Sequence, residues 1–256
     1  MNDNDKEPKI HPTARVDDSV ELGDWTVVHK YAEIHGDVKI GRAGWILPYA
    51  IVGGGQQELG SLRAGDFLHM GMRSFINIAD FVTIGQEVGL GMETKIFSHG
   101  GYLNEIDGFP FQRGPVHIGN NVWLPYATVL PNVRIKDNVV VSAMSLVNKD
   151  LPEGCLAGGI PVRIIKEDVY PKKHKTNVSS FASFLNRIRQ EALTYGSRAI
   201  ITDELTIRVG KTTFFPKSRI IIGPVNKDTE RVKDIFRRHG VRFRYYDNGG
   251  EYVEWD

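Results

Sequence analysis

Aliphatic residues recur along the first part of this chain at a spacing of six: Ile10, Val16, Leu22, Val28, Ile34, Ile40, Ile46 and Val52. Neither an α-helix nor a heptad repeat has that period. Four residues after these positions stand Ala14, Val20, Thr26, Ala32, Val38, Gly44 and Ala50, all small or β-branched; after Val52 comes Gln56, and the pattern stops. It resumes with Met72, Ile78, Ile84 and Leu90, followed four on by Ile76, Val82, Val88 and Thr94. A third run leads from Ile118 through Leu124, Val129, Ile135 and Val141, with Val122, Ala127, Val133, Val139 and Ser145 as the partners. The step from Leu124 to Val129 is five, one residue short.

A period of six reads as a short strand, in which positions two apart face the same side, then a corner, repeated. Three such sides close a triangular coil. The aliphatic residue fills the prism, and the residue two before it must be small because it points into the same narrow interior. Coils stack about 4.8 Å apart, so that backbone N–H and C=O groups pair with the coil above or below. Sixteen recognisable hexads give roughly five coils, and more if the stretch 53–71 hides others.

The segment GPVHIGNNVWLPYATVLPNVRIKDNVVVSAMSLVNKDLPEGCLAGGIPVRIIK, from Gly114 to Lys166, resembles the C-terminal half of the maltose, galactoside and xenobiotic acetyltransferase group. The Asn-Asn-Val-Trp turn, the Leu-Pro-Asn-Val step, the Asn-Lys-Asp of the last coil and the closing Pro-Val-Arg carry the likeness. These are hexapeptide-repeat acyltransferases, whose fold is a left-handed parallel β-helix. The hand comes from the resemblance, because parallel crossovers are ordinarily right-handed. The expectation is therefore an N-terminal tail over 1–9, a left-handed β-helix acyltransferase domain over 10–166, and a linker, helix and small α/β extension of unassigned role over 167–256.

Two arms are expected on the β-helix. The stretch 53–71 is Gly-rich and reads either as a loop or as distorted coils. Its Gly-Gly-Gly is no phosphate loop, since no Lys-Ser or Lys-Thr follows at the required spacing. The stretch 97–117 is too long and too aromatic for a simple connector. Its Phe97, Tyr102, Phe109 and Phe111 need a surface to pack on, either the protein's own flank or the cleft of a neighbouring subunit. After Lys166 comes a charged linker that includes His174. Val178, Phe181, Phe184, Leu185, Ile188 and Ala192 then mark one helix face. Strand-like segments AIIT, LTIRVG and RIIIG, a helix around Asp228–His239 and a hairpin turning at Asn248-Gly249 follow.

Composition narrows the function classes. Apolar residues make up 41% and charged residues 25% of the 256, close to the globular average, which excludes a disordered or collagen-like chain. Thirty-two Lys plus Arg against 31 Asp plus Glu leave a net charge of +1, with no electrostatic footprint for nucleic acid or an anionic membrane. The lone Cys155 excludes an internal disulfide and a thiolate metal cluster. No run of about 18 apolar residues occurs and the N-terminus is polar and acidic, so no membrane insertion and a cytoplasmic location are expected.

Acyl transfer from a thioester needs a base for the acceptor's proton and amides for the developing oxyanion, and histidine is the usual base. Of the eight histidines, His11, His29, His35 and His117 adjoin interior positions and should point outward. His69 falls in the irregular stretch, and His239 at a helix end as a C-terminal cap. His99 stands three residues after Ile96, where the coil breaks into the second arm ahead of Gly100-Gly101. The resemblance places the family's catalytic histidine there. It also implies Asn77, in FINIAD, as the asparagine that meets the acceptor, and Trp123 as the tryptophan bordering the thioester channel; Tyr102 of the arm is a third substrate-side candidate. A carboxylate orienting His99 is sought among Glu93, Glu105 and Asp107.

Coenzyme A follows from the resemblance as the acyl carrier, with acetyl-CoA as co-substrate and no metal. Ala143, Asn148, Lys149 and Arg163 fall on positions of the family's closing motifs, and Lys149, Arg163 and Lys166 are cations suited to the nucleotide phosphates. The resemblance thus implies an acetyl-CoA-dependent O- or N-acetyltransferase acting on a sugar or nucleotide-sugar, its cleft shared between subunits of a homotrimer. Two other readings use the same fold. One is a non-catalytic trimeric scaffold. The other is a γ-type carbonic anhydrase, which lacks its His-x4-His here, although His11 and His29 stand one full coil apart.

Overall fold

The computed structural model describes residues 6–54, 60–171, 178–202 and 205–255. Two compact units divide the chain after Lys172. The larger is a parallel β-solenoid of about seven turns, the architecture expected of a left-handed parallel β-helix. Each turn contributes one short strand to each of three faces. On the second face Val16, Ile34, Val52, Ile76, Ile96, Val129 and Val147 stack in register. The first face stacks Ile10, Val28, Ile46, Met70, Leu90 and Leu124. The third stacks Leu22, Ile40, Ala64, Ile84, Ile118 and Ile135.

The interior follows from the period. Ile34, Ile46, Met70, Ile76, Leu90, Ile96, Leu124 and Ile135 are fully buried, each contributing about 1.5–3 kcal/mol by removal from water. Small and equally buried residues stand two before interior aliphatics of the first and second faces: Thr26, Ala32, Ala50, Ser74, Thr94, Ala127 and Ser145. Hydroxyls there are mostly satisfied by backbone; Thr94 Oγ1 donates to the Leu124 carbonyl at 2.6 Å, for example.

Two expectations need correction. The stretch 53–71 is not an arm. Ser61–Ala64 and His69–Met70 are ladder strands on the third and first faces, which raises the turn count above five; Gln56 and its neighbours over 55–59 lie outside the described residues. A coil was hidden because Ala64 holds a position that elsewhere carries a larger aliphatic. The first two positions of the second run, Met72 and Ile78, also stand two residues late, while Ile84 and Leu90 are interior as expected. Met72 is 41% exposed, and the interior residues are Met70 and Ile76, with eight residues rather than six from Ile76 to Ile84.

The smaller unit is a six-stranded antiparallel sheet with two helices, α1 (Val178–Thr194) and α2 (Lys227–Arg238). Helix α1 buries Leu185, Ile188 and Ala192, while Val178 is exposed. Helix α2 opens on a capping box formed by Asn226 and Thr229 and ends at His239, whose ring meets Glu191 at 3.0 Å. Phe214, Phe236 and Phe243 form its aromatic centre, with ring centroids 5.2–5.8 Å apart. The terminal hairpin turns one residue later than expected: Asn248 pairs with Glu251, and Gly249 and Gly250 take φ of 60° and 92°. A two-residue hairpin turn of this hand needs positive φ at both central positions, which two glycines adopt without strain. His174 lies outside the described residues. No helix among the described residues is long and apolar enough to cross a membrane.

Candidate functional site

Regular coils turn their corners in one way. The residue three after the interior aliphatic enters the left-handed region: Tyr31, Tyr49 and Glu93 (φ 58–61°) between first and second faces, Trp25, Phe67 and Asn138 (φ 57–60°) between third and first. Left-handed φ opposes a non-glycine residue by roughly 1–2 kcal/mol, and the ladder bonds on both sides of each corner offset it. At the corner from second to third face, only Asn132 among the described residues keeps this turn. There the chain runs twelve residues from Val52 to Ala64, eight from Ile76 to Ile84 and twenty-two from Ile96 to Ile118. Three successive rungs thus interrupt the six-residue step at the same corner, because stacking puts that corner above itself.

A cleft of about 560 Å³ opens at this corner. Gly54 and Asn77 contribute from the earlier two rungs, His99, Gly100 and Gln112 from the root of the arm, and Leu130 from the rung beyond. Phe75 and Phe97 form an apolar wall, edge to face with centroids 5.8 Å apart. No Asp, Glu, Lys or Arg side chain lines the cleft among the described residues.

His99 holds the place of the corner residue, but continues straight into a strand, His99–Gly100, that pairs antiparallel with Gln112–Arg113. The chain over 99–113 is therefore a hairpin arm, with Tyr102 and Ile106 at its outer end 99% and 94% exposed, while Val116 and His117 of the expected arm return to the third face. The His99 imidazole is half-buried, 6.0 Å from the Phe111 ring, and no side chain among the described residues hydrogen-bonds it. The carboxylates considered as its orienting partner are engaged elsewhere or point to solvent. Glu93 accepts from Tyr126 and Arg73, which hold its carboxyl below the usual range; Asp107 accepts from Asn104; Glu105 is exposed.

Asn77 lines the same cleft as His99, but it is only 5% exposed and works as a strut. Its Nδ2 donates to the Gly54 carbonyl at 2.7 Å. Its Oδ1 lies within reach of the Ala79 N–H at 3.3 Å and the Ser98 hydroxyl at 2.9 Å. Gly54 needs to be glycine: φ is +102°, and a Cβ would stand 2.7 Å from Asn77 Nδ2. Ser98 and Gly54 were missed in the sequence, although both flank an interruption of the six-residue step, the signal that could have found them.

The remaining candidates are not gathered with these two in a single chain. Asn148 and Lys149 lie on the same edge, one rung beyond Leu130 and Pro131. Ala143 sits at the corner between first and second faces, and Arg163 and Lys166 on a strand, Arg163–Lys166, antiparallel to the end of the first face. Trp123 is on the outer side of the first face, its ring covering Gly89, where a Cβ would approach to 2.5 Å. Tyr102 lies out along the arm. Of the outward histidines, His29 accepts from Trp45, His69 stands edge-on to Trp45 at 6.1 Å, and His35 binds Asp17 at 3.0 Å. No group of three or more His, Cys, Asp or Glu side chains among the described residues is placed to hold a metal ion.

No family model matches the chain. Curated relatives do. YvoF of Bacillus subtilis (strain 168), whose name marks it as an acetyltransferase by inference, is 37% identical over 98 residues, 37% of this chain and 54% of the relative. The galactoside O-acetyltransferase of Escherichia coli (strain K12) is 32% identical over 119 residues, 43% of this chain and 59% of the relative. The matched part thus spans little more than half the length of these curated relatives. Among solved structures, a single-residue mutant of AntD, an N-acyltransferase from Bacillus cereus in complex with dTDP and coenzyme A, matches with a TM-score of 0.42 at 21% identity, covering 71% of this chain and 90% of that one. A galactoside acetyltransferase in complex with coenzyme A matches with a TM-score of 0.36 at 23% identity, covering 60% and 66%. The chain is thus a parallel β-solenoid built on six-residue sides that is similar, over part of its length, to curated proteins named as acetyltransferases.

Proposed function

We propose that the protein is an acetyl-CoA-dependent O- or N-acetyltransferase acting on a sugar or nucleotide-sugar, with His99 as general base. The observation that carries this reading is the His99 imidazole, half-buried at a cleft and free of any side-chain hydrogen bond among the described residues, on a solenoid whose curated relatives are named acetyltransferases. The sugar acceptor rests on the galactoside O-acetyltransferase relative.

The residues present suit coenzyme A. Lys149, Arg163 and Lys166 are exposed and make no ion pair among the described residues, as phosphate-binding cations would, and Ala143 presents a small side chain beside a coil edge. Bound acetyl-CoA supplies an acyl group activated as a thioester. His99 takes the proton of the acceptor hydroxyl or amine as its oxygen or nitrogen bonds to the acyl carbon, and returns that proton to the sulfur as the carbon–sulfur bond breaks. Backbone amides hold the charge that develops on the acyl oxygen. Because Ala143, Arg163 and Lys166 stand on other edges than His99, a second copy is the simplest way to bring donor and base together. The exposed Tyr102 and the outer arm supply the reaching element, and Trp123 the channel wall. From the resemblance we infer a homotrimer with intersubunit clefts and a cytoplasmic location, with Asn77 on the acceptor side.

The test is thiol release from acetyl-CoA across a panel of sugars and amino-sugar nucleotides, wild type against His99→Ala. With general base catalysis contributing typically 10²–10⁴-fold, the variant should lose about that factor with the best acceptor. Full turnover in the variant would remove His99 from the mechanism, and a monomer by light scattering would remove the shared cleft.

A further inference from the structure

The coil before the arm carries two residues more than a regular side, and they are tied to the arm's root. Ile78–Asp80 fill the lengthened corner between Ile76 and Ile84. From this corner Asp80 reaches Arg113, its Oδ2 lying 3.3 Å from Arg113 Nε, while Asp80 Oδ1 accepts from the Phe81 N–H at 2.7 Å. Arg113 also donates through Nη2 to the Ala79 carbonyl at 2.6 Å. Arg113 is the residue paired directly with His99 across the hairpin root. On the other strand of the root, the Ser98 hydroxyl accepts from the Asp80 N–H at 2.9 Å and stands 2.8 Å from the Asn77 carbonyl. The Ser98 carbonyl accepts from the Gly114 N–H at 2.9 Å, closing the root from behind. Asp80 thus holds both strands, one through its side chain and one through its amide.

We propose that Asp80 and Arg113 are positioning residues that fix where the hairpin leaves the solenoid and thereby where the His99 imidazole stands in the cleft. The ring does not fix itself. It has no side-chain hydrogen bond of its own among the described residues, and the strand that carries it is two residues long. A two-stranded ribbon of that length is marginal alone. Its geometry must come from the coil beneath. The Asp80 side chain is 20% exposed and that of Arg113 36%, so the pair is shielded more than a surface salt bridge, and the bond to the Ala79 carbonyl fixes the guanidinium plane as well as its charge. The eight-residue side explains itself on this view: a regular six-residue corner has no residue that extends far enough to meet the arm.

The consequence for turnover rests on His99 being the base, but the clamp can be tested without it. Hydrogen–deuterium exchange of the full chain, read on peptides spanning 97–101 and 112–114, compares wild type with Arg113→Ala, Asp80→Ala, the double variant, and the conservative Arg113→Lys and Asp80→Asn. Loss of a charge-assisted hydrogen bond should speed exchange at the root about tenfold or more, with peptides from the first face unchanged. The double variant should fall short of additivity and resemble Arg113→Ala, since both single changes remove the contact between Asp80 and Arg113 and only the arginine change also removes the bond to Ala79, and Arg113→Lys should recover part of the protection. Unchanged exchange at the root, or full additivity in the double variant, overturns the proposal. Where an alanine variant fails to fold, the two conservative variants decide in the same way.

Acetyl transfer then separates the two readings. Displacement of a catalytic group by about 1 Å lowers rate by about 10²-fold, so Arg113→Ala should lower kcat by about ten- to a hundredfold with KM for acetyl-CoA unchanged. Faster exchange with full kcat, in a protein that His99→Ala inactivates, would refute the positioning role. Full activity in His99→Ala would refute the base and leave the exchange result to judge the clamp.

Discussion

Replacing Asn77 by aspartate changes one atom of the strut and tests its geometry. Asn77 Nδ2 donates to the Gly54 carbonyl at 2.7 Å, while Oδ1 faces the Ala79 N–H and the Ser98 hydroxyl. Asn77→Ala removes all three contacts, at about 1 kcal/mol each, or about 3 kcal/mol together. Asn77→Asp keeps both acceptor contacts but aims a carboxylate oxygen at the Gly54 carbonyl oxygen. Uncompensated charge at a site only 5% exposed should destabilise by about 3 kcal/mol or more at pH 8. Burial and the facing carbonyl raise the pKa of the introduced carboxyl in the folded state above the unfolded value of about 3.9. A group raised on folding stabilises most below its unfolded pKa, and that contribution is lost as pH rises through the folded one. The protonated acid can again donate to Gly54, so Asn77→Asp should recover to within about 1 kcal/mol of wild type near pH 4 and fall to or below Asn77→Ala at pH 8. Urea unfolding followed by tryptophan fluorescence reports this, since Trp25, Trp45 and Trp123 lie in the solenoid. An Asn77→Asp protein as stable as wild type at pH 8 would show that Gly54 does not accept from this side chain.

Ser74 is buried, and its hydroxyl has no partner among the described residues, whereas Thr94 at the equivalent position on the next rung is bonded to Leu124. Ser74→Ala should therefore stabilise the solenoid by about 1 kcal/mol and Thr94→Ala destabilise it by about 2; a destabilised Ser74→Ala in the same urea assay would contradict the burial. The hydrogen bond that His35 donates to Asp17 raises the pKa of His35 above its ordinary value and lowers that of Asp17. The histidine's share of stability is full below about pH 6.5 and lost as pH rises through the raised value, while the aspartate's is full above about pH 3.9 and lost in acid. Asp17→Asn should bring the His35 titration, read by NMR, down toward the ordinary value, with under about 1 kcal/mol lost near pH 6 because both side chains are about two-fifths exposed; an unmoved His35 titration would deny the contact.

The period of six determined the solenoid, because a triangular side admits only short strands with their aliphatic residues turned inward, a local rule written into every hexad. It also brought His99 to notice, since a histidine in the corner position beside a long interruption is visible by counting. Where the count fails, the reasons are physical. Ala64 is an interior residue too small to register as one, so a whole turn disappeared from view, and the run beginning at Met72 took its frame from exposed and inserted residues. The candidate site was legible only in pieces. Asn77 and His99 are 22 residues apart in sequence but on adjacent rungs, and the meeting of three interruptions on one edge depends on the summed length of every side between them. The contact between Asp80 and Arg113 belongs wholly to the tertiary structure. Neither residue sits in a repeat position, and only stacking, which places one rung's extra residues beneath the next rung's arm, brings their charges together.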